Sequence, residues 1–264
     1  MPKVSVIMAV HNQEKLVIEA IESIINQTYK DWELVICDDA STDNTYQVIS
    51  EYAERYENIR VFKNEENHHA AYTRNRCAKE AKGEYLAIMD SDDISMPERL
   101  EKQAKILDER PEISLVSTAA ITFDENGDRA IRGMKGIEYP FRLPVSPNLP
   151  VVHATIMIRK KAFDAIGGYT VSQRTLRGED VDLCFKIRVA KFEGYTMQEV
   201  LYRIRERKED FKRRTVKDAL GFVKTSKKYY KLLKVPRRKW YMMYKPVVSA
   251  LMPDWFMFLY HKFR

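Results

Sequence analysis

Apolar residues along the first 110 positions alternate between two periods. Val4–Val10, Trp32–Cys37, Ile59–Phe62 and Tyr85–Met89 are short β-branched or aromatic runs bounded by polar residues, the pattern of buried strands. Between them the apolar positions recur at helical spacing, as in Leu16, Val17, Ala20, Ile21, Ile24 and Ile25, or Val48, Ile49, Tyr52 and Ala53. Ser41 or Thr42 is expected to cap the second helix. Further helices are predicted from about Ala70 to Lys82 and from Pro97 to about Arg110, with proline in the first turn. Strands alternating with helices imply βαβ units and a mostly parallel sheet.

From Ile113 the pattern changes. Ile113–Thr118 and Ala120–Phe123 read as strands, with a hairpin turn over residues 125–128 and Asn-Gly at its centre. Residues 137–150 contain Pro140, Pro144, Pro147 and Pro150 and read as a surface loop. Val151–Ile158 reads as a strand and Ala162–Ile166 as a short helix stopped by Gly167-Gly168. A helix opens at Arg177-Gly178-Glu179-Asp180, and Val200–Arg205 is a last strand. Beyond it the chain is helical in pattern, ending in the apolar stretch Val247–Tyr260, which Pro253 and Asp254 interrupt. The expected organisation is a body of residues 1–205, with halves at 1–110 and 111–205, followed by a helical tail of 206–264.

Charge sharpens that division. Residues 203–264 carry 19 Lys and Arg against 5 Asp and Glu, which leaves 26 against 33 in residues 1–202. An acidic body with a basic, aromatic tail suggests a tail that meets an anionic surface. Cys37, Cys77 and Cys184 lack metal-type spacing and read as buried thiols, as in a reducing cytosol. The opening residues enter a strand pattern directly, without signal-peptide features, and no apolar run of about 18 residues suggests a membrane span.

The chemistry gathers at strand ends. Open α/β sheets bind ligands beyond the carboxyl ends of their strands. Asn12 follows the first strand, Asp38 and Asp39 the second, and Asp90, Asp92 and Asp93 the fourth, so all converge on one rim. Three carboxylates within four residues repel one another unless a cation neutralises them. Hard oxygen ligands suit Mg2+ or Mn2+, with phosphates completing the shell. A solvated acidic turn is the plainer alternative. Glu179 and Asp180 lie in the first turn of a helix, where capping alone would also favour them.

Taken in order, VSVIMAVHN, WELVICDDASTDNT, AYTRN, GEYLAIMDSDD followed by MPERL, IGGY and GEDVDL resemble the inverting family 2 glycosyltransferases of bacterial polysaccharide and glycoconjugate synthesis, with their GT-A fold, over about residues 2–206. The resemblance implies transfer of a sugar from a nucleotide-diphosphate donor, with a UDP-sugar the best guess, to a hydroxyl of a glycan or lipid-linked glycan. It implies Asp92 as the ligand of Mn2+ or Mg2+, with Asp90 helping or facing the ribose beside Ser91. Asp39, then Asp38, would read the base. Ala9, Val10 and Asn12 would line its pocket, and Arg74 would lie near base or phosphates. Asp180 is implied as the general base, with Glu179 the weaker candidate, and His153 lies where relatives approach the acceptor. Relatives often have Tyr-Arg-x-His after the last strand; this chain has Tyr202-Arg203-Ile204-Arg205. Arginine cannot ligate a cation, so Arg205 would pair with the diphosphate instead. His11 has no family role.

For the tail the expectation is peripheral attachment to the cytoplasmic face of a membrane, with Arg237-Arg238-Lys239-Trp240-Tyr241 the densest basic and aromatic stretch. Packing on the body or a homo-oligomer contact is the alternative. A non-catalytic nucleotide-sugar-binding or nucleic-acid-associated module is the competing function. It is disfavoured by an acidic rim that would repel a phosphate backbone, so no nucleic-acid partner is expected.

Overall fold

A computed structural model describes residues 1–133, 141–142, 151–207 and 215–252. Pro140, Pro144, Pro147 and Pro150, and residues 253–260 of the last apolar stretch, lie outside them. The strands are β1 (Val4–Val10), β2 (Trp32–Asp38), β3 (Ile59–Lys63), β4 (Tyr85–Asp90), β5 (Ile94–Ser95), β6 (Ile113–Asp124), β7 (Gly127–Arg132), β8 (Phe141–Arg142), β9 (Met157–Arg159) and β10 (Glu193–Arg205). The helices are α1 (Leu16–Ile25), α2 (Thr45–Arg55), α3 (His69–Glu80), α4 (Arg99–Glu109), α5 (Lys160–Ala165), α6 (Glu179–Val189), α7 (Val216–Leu232) and α8 (Lys245–Leu251).

One sheet runs in the order β3-β2-β1-β4-β9-β6-β10-β5, with β7 on β6 and β8 on β10. Along that path β9 and β5 run against the other six strands, so the sheet is mostly parallel. Alternation along β1 splits the core. Val4, Val6, Met8 and Val10 join α1, α2 and α4 on one face. Ile7 joins α3, α5 and α6 on the other. This is the three-layer α/β arrangement expected of parallel strands covered on both faces.

Several local expectations need correction. The segments read as two strands after Ile113 form the single strand β6. Its central polar residues Ser117, Thr118 and Thr122 are buried, with Ser117 hydrogen-bonded to Thr196 and Thr118 to Thr155. Val151–Ile158 is not one strand: Thr155 Oγ1 donates to Val152 O, and a 3-10 turn over His153–Thr155 precedes the short β9. The hairpin turns on Glu125-Asn126, with Gly127 at φ +108° already paired to Asp124. Neither Ser41 nor Thr42 caps α2; Asp43 Oδ1 takes the Thr45 N–H at 3.0 Å. The three cysteines are buried and unbridged, as expected.

The tail does not stand apart from the body. Tyr229, Tyr230 and Val235 pack on Val181 and Phe185 of α6, and Phe185 stacks on Tyr229 with ring centroids 4.9 Å apart. Beneath them Asp182 is fully buried. It accepts hydrogen bonds from Thr170 Oγ1 (2.6 Å), Arg174 Nη1 (3.0 Å) and Tyr229 Oη (3.2 Å). A buried charge is tolerated when paired and hydrogen-bonded in this way. Helix α6 is thereby held between the sheet and the tail.

Candidate active site

Strand register builds the rim. Ala9 is aligned with Asp90 of β4, and Val10 with Asp38 of β2. Asp38 and Asp90 therefore flank the end of β1, about 10 Å apart at normal strand spacing. Three non-glycine residues near this edge have positive φ: Asn12 (52°), Ala40 (55°) and His69 (65°). Such conformations persist only where surroundings impose them, and they cluster at functional sites.

The surroundings are visible. Asn12 N–H donates to Ser41 Oγ at 2.9 Å, and its Oδ1 takes the Thr42 N–H at 2.8 Å. Asn12, expected to line a base pocket, thus also locks the β2–α2 loop. His11 Nδ1 lies 2.8 Å from Asp39 O, which can only accept, so Nδ1 carries the proton. Nε2 then accepts from the amides of Asn12 and Asn67. His11 is a structural brace.

Asp39 is buried, and its Oδ1 accepts from Asn64 Nδ2 (2.7 Å) and His68 N–H (3.0 Å). Asp38 is buried too. Its Oδ2 accepts from Ser41 N–H at 3.1 Å, while its Oδ1 has no protein hydrogen-bond partner. Burying an unsatisfied carboxylate oxygen is costly. Asp38 and Asp39 are thus both buried at the end of β2, each with one carboxylate oxygen tied to its surroundings.

A second arrangement joins β4 to α6. Arg74, nearly buried on α3, donates through Nη2 to Asp90 Oδ1 at 2.8 Å and through Nη1 to Glu179 Oε1 at 3.0 Å. It is not a surface charge; it bridges two carboxylates. Burial pushes Asp90 upward, but Arg74 outweighs that and holds it below the usual carboxylate range. The backbone N–H of Asp90 donates to Tyr202 Oη at 3.2 Å. Asp93 is buried, and burial together with the charges of Asp90 and Asp92 raises it well above the usual range. Ser91 is buried between them.

Asp180 begins α6 beside Glu179, and its Oδ1 accepts the Val181 N–H at 2.7 Å. Burial, and then the Glu179 charge, push its carboxyl up to about 6. His153 hydrogen-bonds Tyr169 Oη through Nε2 at 2.8 Å, and burial followed by the Arg74 charge lowers it to about 3, so it is neutral.

The end of β10 closes the rim. Arg205 donates from Nε to Asp92 O (2.9 Å), from its N–H to Asp93 Oδ1 (2.8 Å) and from Nη2 to Glu19 Oε2 (2.6 Å). It grips the acidic turn, where pairing with a diphosphate was expected. Arg207 Nη2 lies 2.8 Å from Asp92 Oδ2. Reading by motif missed Arg207, Glu19, Tyr169 and Tyr202. Tyr169 closes the IGGY motif and Tyr202 is an inward aromatic on a strand ending at the rim; Arg207 and Glu19 had no such local signal.

Among the described residues no group of three or more His, Cys, Asp or Glu side chains is gathered to hold a metal. The donor chemistry at the rim nonetheless fits a hard divalent cation. Asp90 and Asp92 supply carboxylate oxygens, and Asp92 is partly open to solvent, with 22% of its side chain exposed. The remaining positions would fall to phosphate and water.

These features define an α/β enzyme-type site, with carboxylates gathered at the ends of the parallel strands and a raised Asp180 carboxyl at the start of α6. The family model "Glycosyl transferase family 2" matches residues 5–167, and the chain belongs to that family. EpsE of Bacillus subtilis (strain 168), which carries a provisional glycosyltransferase description, is 39% identical over all of this chain and 94% of its own length. The Escherichia coli UDP-Glc:alpha-D-GlcNAc-diphosphoundecaprenol beta-1,3-glucosyltransferase WfgD is 39% identical over 39% of this chain and 40% of its own. Among solved structures, S. aureus TarS in complex with UDP-GlcNAc superposes with a TM-score of 0.72 at 20% identity, over 94% of this chain and 71% of that one. The Pyrobaculum calidifontis mannosyltransferase PcManGT, in complex with GDP-Man and Mn2+, does so at 0.66 and 20%, over 94% and 68%. Both likenesses concern the fold, which is GT-A. Among the described residues no helix is long and apolar enough to cross a membrane.

Proposed function

We propose that this chain transfers a hexosyl or N-acetylhexosaminyl group, with inversion, from a UDP-sugar to a hydroxyl of a glycan or lipid-linked glycan. The observation that carries the reading is Asp180. An aspartate at its ordinary value is a weak base, whereas one raised to about 6 is poised near neutral pH and still ionised there. Its carboxylate takes the acceptor proton as the acceptor oxygen bonds to the anomeric carbon and the bond to the diphosphate breaks. Arg74 fixes Glu179 beside it, so the pair keeps one orientation. Asp39, with Asp38 beside it, is the proposed base reader, since uracil offers an N–H donor to a carboxylate at the end of β2. The UDP and lipid-linked assignments draw on what WfgD is named for.

Asp92, with Asp90, would hold the divalent cation suggested by PcManGT, which when bound stabilises the charge growing on the leaving diphosphate. A panel of nucleotide sugars, with release of the nucleoside diphosphate measured with and without Mn2+, tests donor and metal together. Asp180→Asn should retain donor binding and lose transfer; loss of donor binding would mean Asp180 is misassigned.

For the tail we propose docking on an anionic membrane from the cytoplasmic side. Tyr241, Tyr244, Val248 and Leu251 are exposed beside exposed Arg237, Arg238, Lys239 and Lys245. Rings and aliphatic side chains at the headgroup boundary, with cations on phosphates, account for both sets. Flotation with vesicles of anionic lipid tests this, and self-association in gel filtration without flotation would favour an oligomer contact.

A further inference from the structure

Two arginines leave the end of β10 two residues apart, and they treat the acidic turn differently. Arg205 holds its main chain, through Asp92 O, and the buried Asp93. Arg207 reaches the Asp92 carboxylate itself, with Nη2 2.8 Å from Oδ2, and its Nη1 lies 3.4 Å from Gln13 Oε1 on the β1–α1 loop. The Asp92 and Arg207 side chains are 22% and 26% exposed, so this ion pair is shielded but within reach of solvent.

Asp92 is the carboxylate that the metal reading above requires, and the inference rests on that reading. A guanidinium and a divalent cation on the same carboxylate oxygen repel strongly in a site only partly open to water. The side chain that neutralises Asp92 here must therefore give way to the metal. Of the other carboxylates on this turn, Asp90 is paired with Arg74, and Asp93 takes the Arg205 N–H.

We propose that Arg207 is a resident counter-cation of Asp92, and that it lowers the metal affinity of the rim by competing with the divalent ion for that carboxylate. The protein then keeps its acidic turn neutralised before the donor arrives, without a bound ion. Metal uptake is weak alone and improves with the nucleotide, whose phosphates supply ligands that help displace the guanidinium. Arg207 thereby couples metal binding to donor binding.

The test is a Mn2+ titration of the full chain, following the electron paramagnetic resonance signal of free Mn2+, with and without UDP. Arg207→Gln should bind Mn2+ on the order of tenfold more tightly than the natural chain, equivalent to ~1.4 kcal/mol, and should depend less on UDP. Arg207→Lys, which keeps a competing charge, should stay near the natural affinity. Asp92→Asn should bind poorly whether or not Arg207 is also replaced. Equal binding by the natural chain and Arg207→Gln would overturn the competition while leaving the metal reading intact. An equal gain in Arg207→Lys would also overturn it, because charge would not be the cause. If no chain bound Mn2+, even with UDP, the metal reading itself would fail, and the competition with it. Thermal unfolding of each variant confirms that the folded chain is titrated.

Discussion

Asp180→Asn should stabilise the protein while disabling it. The carboxyl rises from an ordinary 3.8 to about 6 because burial and Glu179 disfavour the charge. At 1.36 kcal/mol per pH unit, ionised Asp180 costs the fold up to about 3 kcal/mol at pH 8. Partial access to solvent lowers the expected figure to ~1–3 kcal/mol. Because the folded value is raised, protonation favours the fold. The contribution is favourable below the unfolded value near 3.8 and is lost as pH climbs through about 6. Asparagine keeps the shape and the oxygen that accepts the Val181 N–H, without the charge. Urea unfolding of both chains at pH 8 and pH 4.5 measures the difference. The variant should gain ~1–3 kcal/mol at pH 8, and most of that gain should vanish at pH 4.5. A variant less stable at pH 8, or a gain independent of pH, would refute the account. In the active chain, transfer should fall as pH drops below about 6, when the base protonates.

Other expectations follow from the same geometry. Asp92→Asn should abolish metal-dependent transfer; full activity with Mn2+ would remove Asp92 from the metal site. Arg74→Ala leaves Asp90 and Glu179 without their shared cation and should cost ~3–5 kcal/mol in urea unfolding, the cost of breaking a buried pair; a loss below ~1 kcal/mol would mean the bridge contributes little. Tyr229→Phe removes one of three hydrogen bonds to buried Asp182 and should cost about 1–2 kcal/mol, read as a lowered melting temperature. Replacing Tyr241, Val248 and Leu251 with serine should reduce flotation with anionic vesicles without changing the melting temperature, since all three side chains are exposed; unchanged flotation would sink membrane docking by this surface.

The framework up to residue 110 was legible because buried parallel strands and amphipathic helices differ in period, and the rim followed because each strand end carried polar residues. Legibility failed where polar residues are buried or β-branched residues do not form strand. Thr118 and Thr122 interrupt the apolar pattern of β6 yet lie inside, and Val152 and Thr155 form a turn. At the site, the carboxylates were found by local clustering. Their partners were not, because the Arg74–Glu179 and Asp92–Arg207 pairs are 105 and 115 residues apart and no local spacing announces them. Asp38 and Asp39 are adjacent and chemically alike, so only hydrogen bonding separates them.

The family match ends at residue 167, whereas Glu179 lies beyond it and Asp90 within it. The Arg74 bridge therefore crosses from the part of the chain that the family model describes to a part it does not. That makes the guanidinium a compatibility condition for exchange between relatives. A chimera joining residues 1–167 of this chain to the following segment of a relative must bring a carboxylate to the Glu179 position, or Arg74 is left buried against Asp90 alone. Segments can be exchanged across that seam only together with the charge that closes it.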